Sequence, residues 1–281
     1  MSEVTEADLD AYHRDGVVCL RHIFDSDWIE LLRAGAERNM ASPGPYAHTY
    51  AKDELGHVFL NDVVSWERIP EYERFYRESP AGAMAARLMG SRTARIFYDS
   101  MFYRTAGTKA RTPWHQDVPY WCVEGAHVVS LWVPLDPVPR ASALEFLRGS
   151  HGTNAIYYRE SFFAEGQGVH AFETARDARS ETERVLERIP DIDAHPERYD
   201  IAAWAMEPGD CLAFSGMVLH GGSGNLADGQ RLRVLAARFT GDDAIYQPDK
   251  LGGTDPDLRH AGLKPGARFD GPHFPRVWPR A

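Results

Sequence analysis

The sequence predicts a mainly β fold with flanking helices, a barrel or double-sheet jelly roll behind an N-terminal helical region. Two observations carry that expectation. From residue 94 onward, apolar and aromatic residues fall in short alternating runs separated by Gly/Pro turns, whereas the earlier residues recur at helical spacing. In addition, Trp114-His115-Gln116-Asp117 and the glycine-rich turn that opens at His220 put metal-ligating side chain types where strands end.

Each element follows from its own residues. Thr5, with Asp8 three residues on, opens a helix over residues 5–16 in a capping-box arrangement. Val17 to Leu20 is an apolar strand. Asp25 or Ser26 caps a second helix, whose apolar face carries Trp28, Leu31 and Leu32. Residues 42–62 mix proline, glycine and aromatics and read as a long loop with one strand near His57 to Leu60. Pro70 to Tyr76 and Ser79 to Met89 read as helices. In the second, Ser79 is the cap, Pro80 the first turn and Gly90 the exit.

Strands are expected at Arg95 to Arg104, Trp114 to Val118, Val128 to Leu135 and Leu144 to Leu147. Residues 155–200 interrupt the series with a charged, helical middle from Ala178 to Ile189, and have the length of a lid. Strands resume at Asp210 to Phe214, after the turn Glu207-Pro208-Gly209-Asp210, then at Met217 to His220 and Arg231 to Thr240. Residues 241–281 carry Tyr246, Phe269, Phe274 and Trp278, aromatics that call for burial and so for an ordered wrap on the core. The expected organisation is a single domain over 1–281: a helical and loop region at 1–93, a β core at 94–240 and the wrap at 241–281.

The chain has 281 residues, a formal net charge of −10 and a hydrophobic content of 43%, enough for a packed core. The acidic balance argues against nucleic acid and anionic membranes as partners and leaves a small molecule. No apolar run reaches the length of a membrane span, and the acidic N-terminus is not of the signal-peptide type. Cys19, Cys122 and Cys211 are odd in number, without Cys-X-X-Cys spacing, which fits a reducing cytoplasm.

In an extended strand, side chains at i and i+2 share a face, so His115 and Asp117 are expected to point one way and Gln116 the other. A converging imidazole and carboxylate are two thirds of a 2-His-1-carboxylate triad, the site type that holds ferrous iron with open positions. His220 supplies the second imidazole, delivered by the apolar run from Cys211 to Leu219. Arg231 follows eleven residues later. His13, His22, His48, His195 and His260 have no strand partner at ligand spacing.

These stretches resemble the phytanoyl-CoA dioxygenase family of iron(II)/2-oxoglutarate oxygenases, whose pattern is His-X-Asp, a distant His, and an Arg about a dozen residues on. Tyr12 to Val18, Phe102 to Gly107, Arg148-Gly149-Ser150-His151 and Arg231 to Phe239 match as well, so the resemblance runs in order through most of the chain. It implies a double-stranded β-helix (jelly-roll, cupin-like) with the metal near the barrel mouth. It also implies Fe(II) on His115, Asp117 and His220, with 2-oxoglutarate and O2 as co-reactants. His151 is structural on this reading.

Iron(II) with one aspartate and a 2-oxoglutarate dianion carries a net −1, which one arginine neutralises through a bidentate grip. The resemblance gives that role to Arg231. Family members often carry Arg-Arg there, whereas this chain reads Arg231-Leu232-Arg233, so Arg233 competes, and the two share strand parity. Arg104 sits where the family often has a cosubstrate-contacting lysine, and Trp132 and Ser223 are expected in the same pocket. Tyr120, Trp121, Tyr46 and Asn61 are the substrate-side candidates, with Tyr50 and Asp62 nearby. The implied activity is hydroxylation of an unactivated C–H bond of a small molecule, with release of succinate and CO2. The alternative is a cupin-type metal barrel acting as an isomerase or sensor, which would use the same three ligands with no need of an arginine for a dianion.

Overall fold

The computed structural model describes residues 3–153, 155–157, 186–226, 229–250 and 256–280. Residues 178–185 of the expected helix, and with them the middle of the lid-like insertion, lie outside the described residues. Residues 186–189 are not helical, and Glu187 bridges to Tyr157.

The N-terminal helices form as their caps require. Helix α1 (Glu6–Asp15) has Thr5 as N-cap with the full Thr5–Asp8 capping box, and ends at Gly16 in the left-handed region at φ 79. Strand β1 (Val17–Leu20) leads to α2 (Ser26–Ala41), capped by Asp25. Strands β2 (Ala47–Lys52) and β3 (Val58–Val63) form a hairpin where one strand was expected. The residues of β2 are half-buried or exposed throughout, so no apolar alternation marks it. Helix α3 (Pro70–Glu78) runs to Ser79, and α4 (Ala81–Met89) follows with Pro80, not Ser79, at its cap position. Ser79 still serves that helix, since its Oγ accepts from Ala81 N at 3.2 Å.

The rest is β. Strands β4 (Ala94–Arg104), β5 (Thr112–His115), β6 (Val123–Glu124), β7 (Val128–Pro134) and β8 (Leu144–Leu147) precede the insertion. Strands β9 (Ile201–Ala202), β10 (Cys211–Ser215), β11 (His220–Gly222), β12 (Leu232–Thr240), β13 (Ile245–Tyr246) and β14 (Arg276–Trp278) follow it. The large sheet runs β1-β10-β7-β12-β4-β3-β2, with β14 also on β4; the smaller runs β5-β11-β8-β9; β13 pairs with β6. All named pairings are antiparallel. This is the double-sheet jelly roll expected, with four helices on the outer side of the large sheet. Among the described residues, no helix is long and apolar enough to cross a membrane.

The alternation of β12 sets up the site. Leu235, Ala237 and Phe239 pack into the cluster shared with the helices. Leu232, Val234, Ala236 and Arg238 face inward and line a cavity between the sheets. Arg231 and Arg233 have the outward parity. Arg233 Nη2 meets Asp136 Oδ1 at 2.7 Å, and its Nη1 meets Glu37 Oε1 on α2 at 2.7 Å. Arg231 Nη2 reaches the same Glu37 at 2.7 Å and is 44% exposed. Both arginines thus fasten β12 to α2.

The Arg233–Asp136 pair is nearly dry, with side chains 6% and 10% exposed. Removing one partner strands the other charge, so Asp136→Ala is expected to cost about 3 kcal/mol, the lower end for a buried pair because Glu37 remains. Thermal melts measure it. A melting temperature equal to wild type would show that Glu37 alone suffices.

Candidate metal centre

The two candidate histidines come from neighbouring strands of the small sheet, and the aspartate from the turn that follows the first of them. His115 on β5 is the direct cross-strand partner of His220 on β11, which places the two rings with centroids 4.1 Å apart. Asp117 is not on the strand. Strand β5 stops at His115, and Asp117 takes a helical conformation at the mouth of a 3-10 turn, Val118–Tyr120. The amides of Asp117 and Val118 both donate to Gly216 O, at 2.8 and 2.9 Å, and hold the turn against the loop that leads to His220. Convergence therefore comes from that turn and not from strand alternation. His115 Nε2 lies 3.3 Å from Asp117 Oδ1, and His220 Nε2 lies 3.9 Å from Asp117 Oδ2. One ligand atom from each of the three groups lies within 4.8 Å of the others.

Both imidazoles are oriented by backbone carbonyls. His115 Nδ1 donates to Pro113 O at 2.8 Å, and His220 Nδ1 donates to Val218 O at 3.0 Å. A proton on Nδ1 leaves the Nε2 lone pairs aimed at Asp117, the arrangement a metal requires of its histidines. Burial, then the neighbouring His115, lowers His220 to about 4, so its imidazole is neutral near pH 7. Burial alone would raise Asp117, but His220, His115 and the Arg238 guanidinium bring it down to about 2, so it stays a carboxylate. Two imidazoles and one carboxylate, all buried and facing a cavity, are the donor set of the 2-His-1-carboxylate site. Gln116 turns the other way, as expected, with Nε2 donating to Ala155 O and Met217 O and Oε1 accepting from Tyr157 N.

The cavity holds about 1100 Å³, counted out to its mouth. Arg104 lies on one side of the triad. It faces Leu232 across β12 and Phe59 across β3, and its guanidinium stacks 3.8 Å from the Phe59 ring centroid. Its Nη1 donates to Ser223 O at 3.0 Å and its Nη2 to Thr112 Oγ1 at 2.7 Å. Among the described residues no carboxylate pairs with it, although it is only 7% exposed, and burial lowers it to about 10. A buried arginine that remains charged without a carboxylate is a seat for an anion.

Of the other expected site residues, Trp132, Ser223, Trp121 and Asn61 line the cavity, as does Tyr50, to which Asn61 Nδ2 donates at 2.9 Å. Tyr120 and Tyr46 do not. Tyr120 is buried and donates its hydroxyl to Tyr157 O, and Tyr46 stacks on His260. Asp62 accepts from Gly44 N and Arg68 Nη2, a structural role. His151 Nε2 meets His13 O at 3.2 Å and packs against Gly16, also structural. The expectation for Arg231 and Arg233 does not match their placement: both point out of the barrel, for the parity reason given above. Arg238, which no motif singled out, points in.

Jelly-roll fold and buried donor set together define a non-haem iron enzyme. The chain matches the family model "Phytanoyl-CoA dioxygenase (PhyH)" over residues 12–232, and so it belongs to the phytanoyl-CoA dioxygenase family and depends on iron and 2-oxoglutarate. No curated protein matches the chain. Among solved structures, the fold is similar to that of the α-ketoglutarate-dependent carbocyclase SnoK from nogalamycin biosynthesis (TM-score 0.73, 17% identity, 97% of this chain and 96% of that one). It is similar also to the epimerase SnoN in complex with Fe3+, α-ketoglutarate and nogalamycin RO (TM-score 0.71, 20% identity, 97% and 98%). A third likeness is to EctD from S. alaskensis with 2-oxoglutarate and 5-hydroxyectoine (TM-score 0.62, 18% identity, 91% and 86%).

Proposed function

We propose that His115, Asp117 and His220 hold the iron, that Arg104 holds 2-oxoglutarate, and that the enzyme hydroxylates an unactivated C–H bond of a small molecule. The balanced reaction takes substrate C–H, O2 and 2-oxoglutarate to C–OH, succinate and CO2. The observation that carries the reading is a dry triad sharing one cavity with a buried, carboxylate-free Arg104. When bound, the iron supplies the oxidising power, and the protein supplies position and exclusion of water.

The chain's own residues do the following. Pro113 O and Val218 O fix both imidazoles by their Nδ1 protons, so neither ring rotates away from the metal position. Asp117 contributes the negative ligand. Arg104, splinted by Ser223 O and Thr112 Oγ1 and backed by Phe59, presents a fixed fork to the free carboxylate of the cosubstrate. It stands directly across from Leu232, a residue that faces the cavity between the outward-pointing Arg231 and Arg233. The cation therefore comes from β4, where the spacing of the motif pointed to β12. A cupin-type isomerase or sensor has no use for a dianion seat of this kind, so Arg104 favours the oxygenase.

Asp117 also bears on the outcome. With a carboxylate in the third ligand position, chloride has no place on the metal, so oxygenation is expected even in high chloride. Anaerobic Fe(II) plus 2-oxoglutarate should give a weak visible charge-transfer band. In air, substrate-dependent succinate release should accompany a product heavier by one oxygen atom. Mass spectrometry of product formed in chloride buffer under labelled dioxygen distinguishes the outcomes. A chlorinated product from wild type refutes the assignment of Asp117, and a product of unchanged or lowered oxygen content refutes hydroxylation in favour of stereochemical inversion, desaturation or ring closure.

A further inference from the structure

The cavity contains a second buried arginine that the reading above leaves unused. Arg238 is the last residue of β12 to line the cavity and is 6% exposed. Its guanidinium lies 4.4 Å from the Tyr98 ring centroid and 5.0 Å from that of Trp121. Nη1 donates to Ser100 Oγ at 2.9 Å and makes a long contact to Ala236 O at 3.4 Å. Nε is buried without a hydrogen-bond partner, and among the described residues no carboxylate pairs with the group. Two carboxylates are near enough to feel its charge, and each is engaged elsewhere. Asp117 faces the two histidines. Asp99 is on the opposite face of β4, where its Oδ1 accepts from Ser65 N and Trp66 N.

Arg238 and Arg104 do not serve one ligand. Arg104 stays level with its strand partners Phe59 and Leu232, beside Thr112 and Ser223. Arg238 leans to the level of Ser100, whose partner is Ala236. Four residues of strand separate those levels, about 13 Å at 3.3 Å per residue. Moreover, 2-oxoglutarate bound through its 2-oxo acid end has one carboxylate left. The charges agree: iron(II), Asp117, the cosubstrate dianion and Arg104 sum to zero, and Arg238 remains as a +1 in a cavity whose lining holds no acid besides Asp117, with Asp99 behind it on the other face of β4.

We propose that Arg238 anchors an anionic oxygen of the primary substrate, and that the substrate is an organic acid with an apolar skeleton. The inference rests on the assignment of Arg104 to 2-oxoglutarate. The Tyr98 and Trp121 rings and the bond to Ser100 Oγ fix the guanidinium in place, so the cation is preorganised to accept an anionic oxygen. The Phe102, Trp132 and Phe214 walls offer apolar contact to the rest of the molecule.

The test uses the full chain, anaerobic, loaded with Fe(II) and saturating 2-oxoglutarate, with 2-naphthoate and its methyl ester as probes. Calorimetry and the change in the visible band report binding. Wild type is expected to bind the acid about thirtyfold more tightly than the ester, the loss that follows from removing one partner of a buried charge pair. Arg238→Gln should abolish that preference while the 2-oxoglutarate band half-saturates as in wild type, and Arg238→Lys should restore part of it. A wild-type protein that binds acid and ester alike overturns the proposal, as does an Arg238→Gln protein that keeps the preference. Absence of the visible band in wild type overturns the assignment of the cosubstrate site and this inference with it, whereas a normal band without acid preference overturns the anchor alone.

Discussion

Replacing His220 with alanine is expected to abolish iron binding and succinate production while the barrel stays folded. His220 is buried on β11; its Nδ1 is satisfied by Val218 O two residues away, and its ring packs beside Phe146 and Phe214 without a side-chain hydrogen bond to either. Truncation therefore leaves a cavity and removes a ligand. Loss of a residue that merely supports a ligand costs about 10–100-fold in metal affinity, and loss of the ligand itself is expected to cost more than about 100-fold. His115→Ala should behave alike, since it is the cross-strand partner of His220 and equally buried. Metal analysis of protein reconstituted with Fe(II), with circular dichroism to confirm the β signal, gives the answer. Wild-type iron content together with wild-type succinate output in either variant would remove the triad from the mechanism. Asp117→Ala should also lose oxygenation, and it opens the ligand position that chloride needs.

The second large effect concerns the cosubstrate. Arg104→Ala is expected to weaken 2-oxoglutarate by about 2–5 kcal/mol, because a buried carboxylate loses its charged partner in a site shielded from water. Arg104→Lys should recover only part, since a point charge replaces a fork held between Ser223 O and Thr112 Oγ1. Arg231→Ala is the informative control. Its guanidinium is 44% exposed on Glu37, outside the barrel, and its removal should leave the half-saturation of the visible band unchanged. A large effect at Arg231 and none at Arg104 would place the cosubstrate on the strand and spacing that the motif suggested.

Much of the architecture was legible because local physics decides it. The Thr5–Asp8 capping box, the Gly16 and Gly90 exits and the change from helical to alternating pattern near residue 94 each rest on a few neighbouring residues. Strand β2 was not legible, because its half-exposed residues carry no alternation. The triad members were legible as residues, but the geometry that brings them together was not. Asp117 reaches the histidines by leaving the strand, in a turn held by Gly216 from a segment a hundred residues away, and no local pattern encodes that contact.

The arginines show the boundary most sharply. By itself the sequence determined the fold class and pointed to the histidine–aspartate set that the structure brings together, and the family resemblance implied one buried cation opposite a dianion. It could not determine which arginine, because β12 is apolar on both faces: Leu235, Ala237 and Phe239 meet the helices, and Leu232, Val234 and Ala236 meet the cavity. Where both faces are buried, alternation has no polar side to reveal which parity points inward. Only the packing of α2 against the large sheet settles it. Glu37 and Asp136 draw Arg231 and Arg233 outward, and the opposite parity turns Arg238 in, while Arg104 enters from the neighbouring strand across from Leu232.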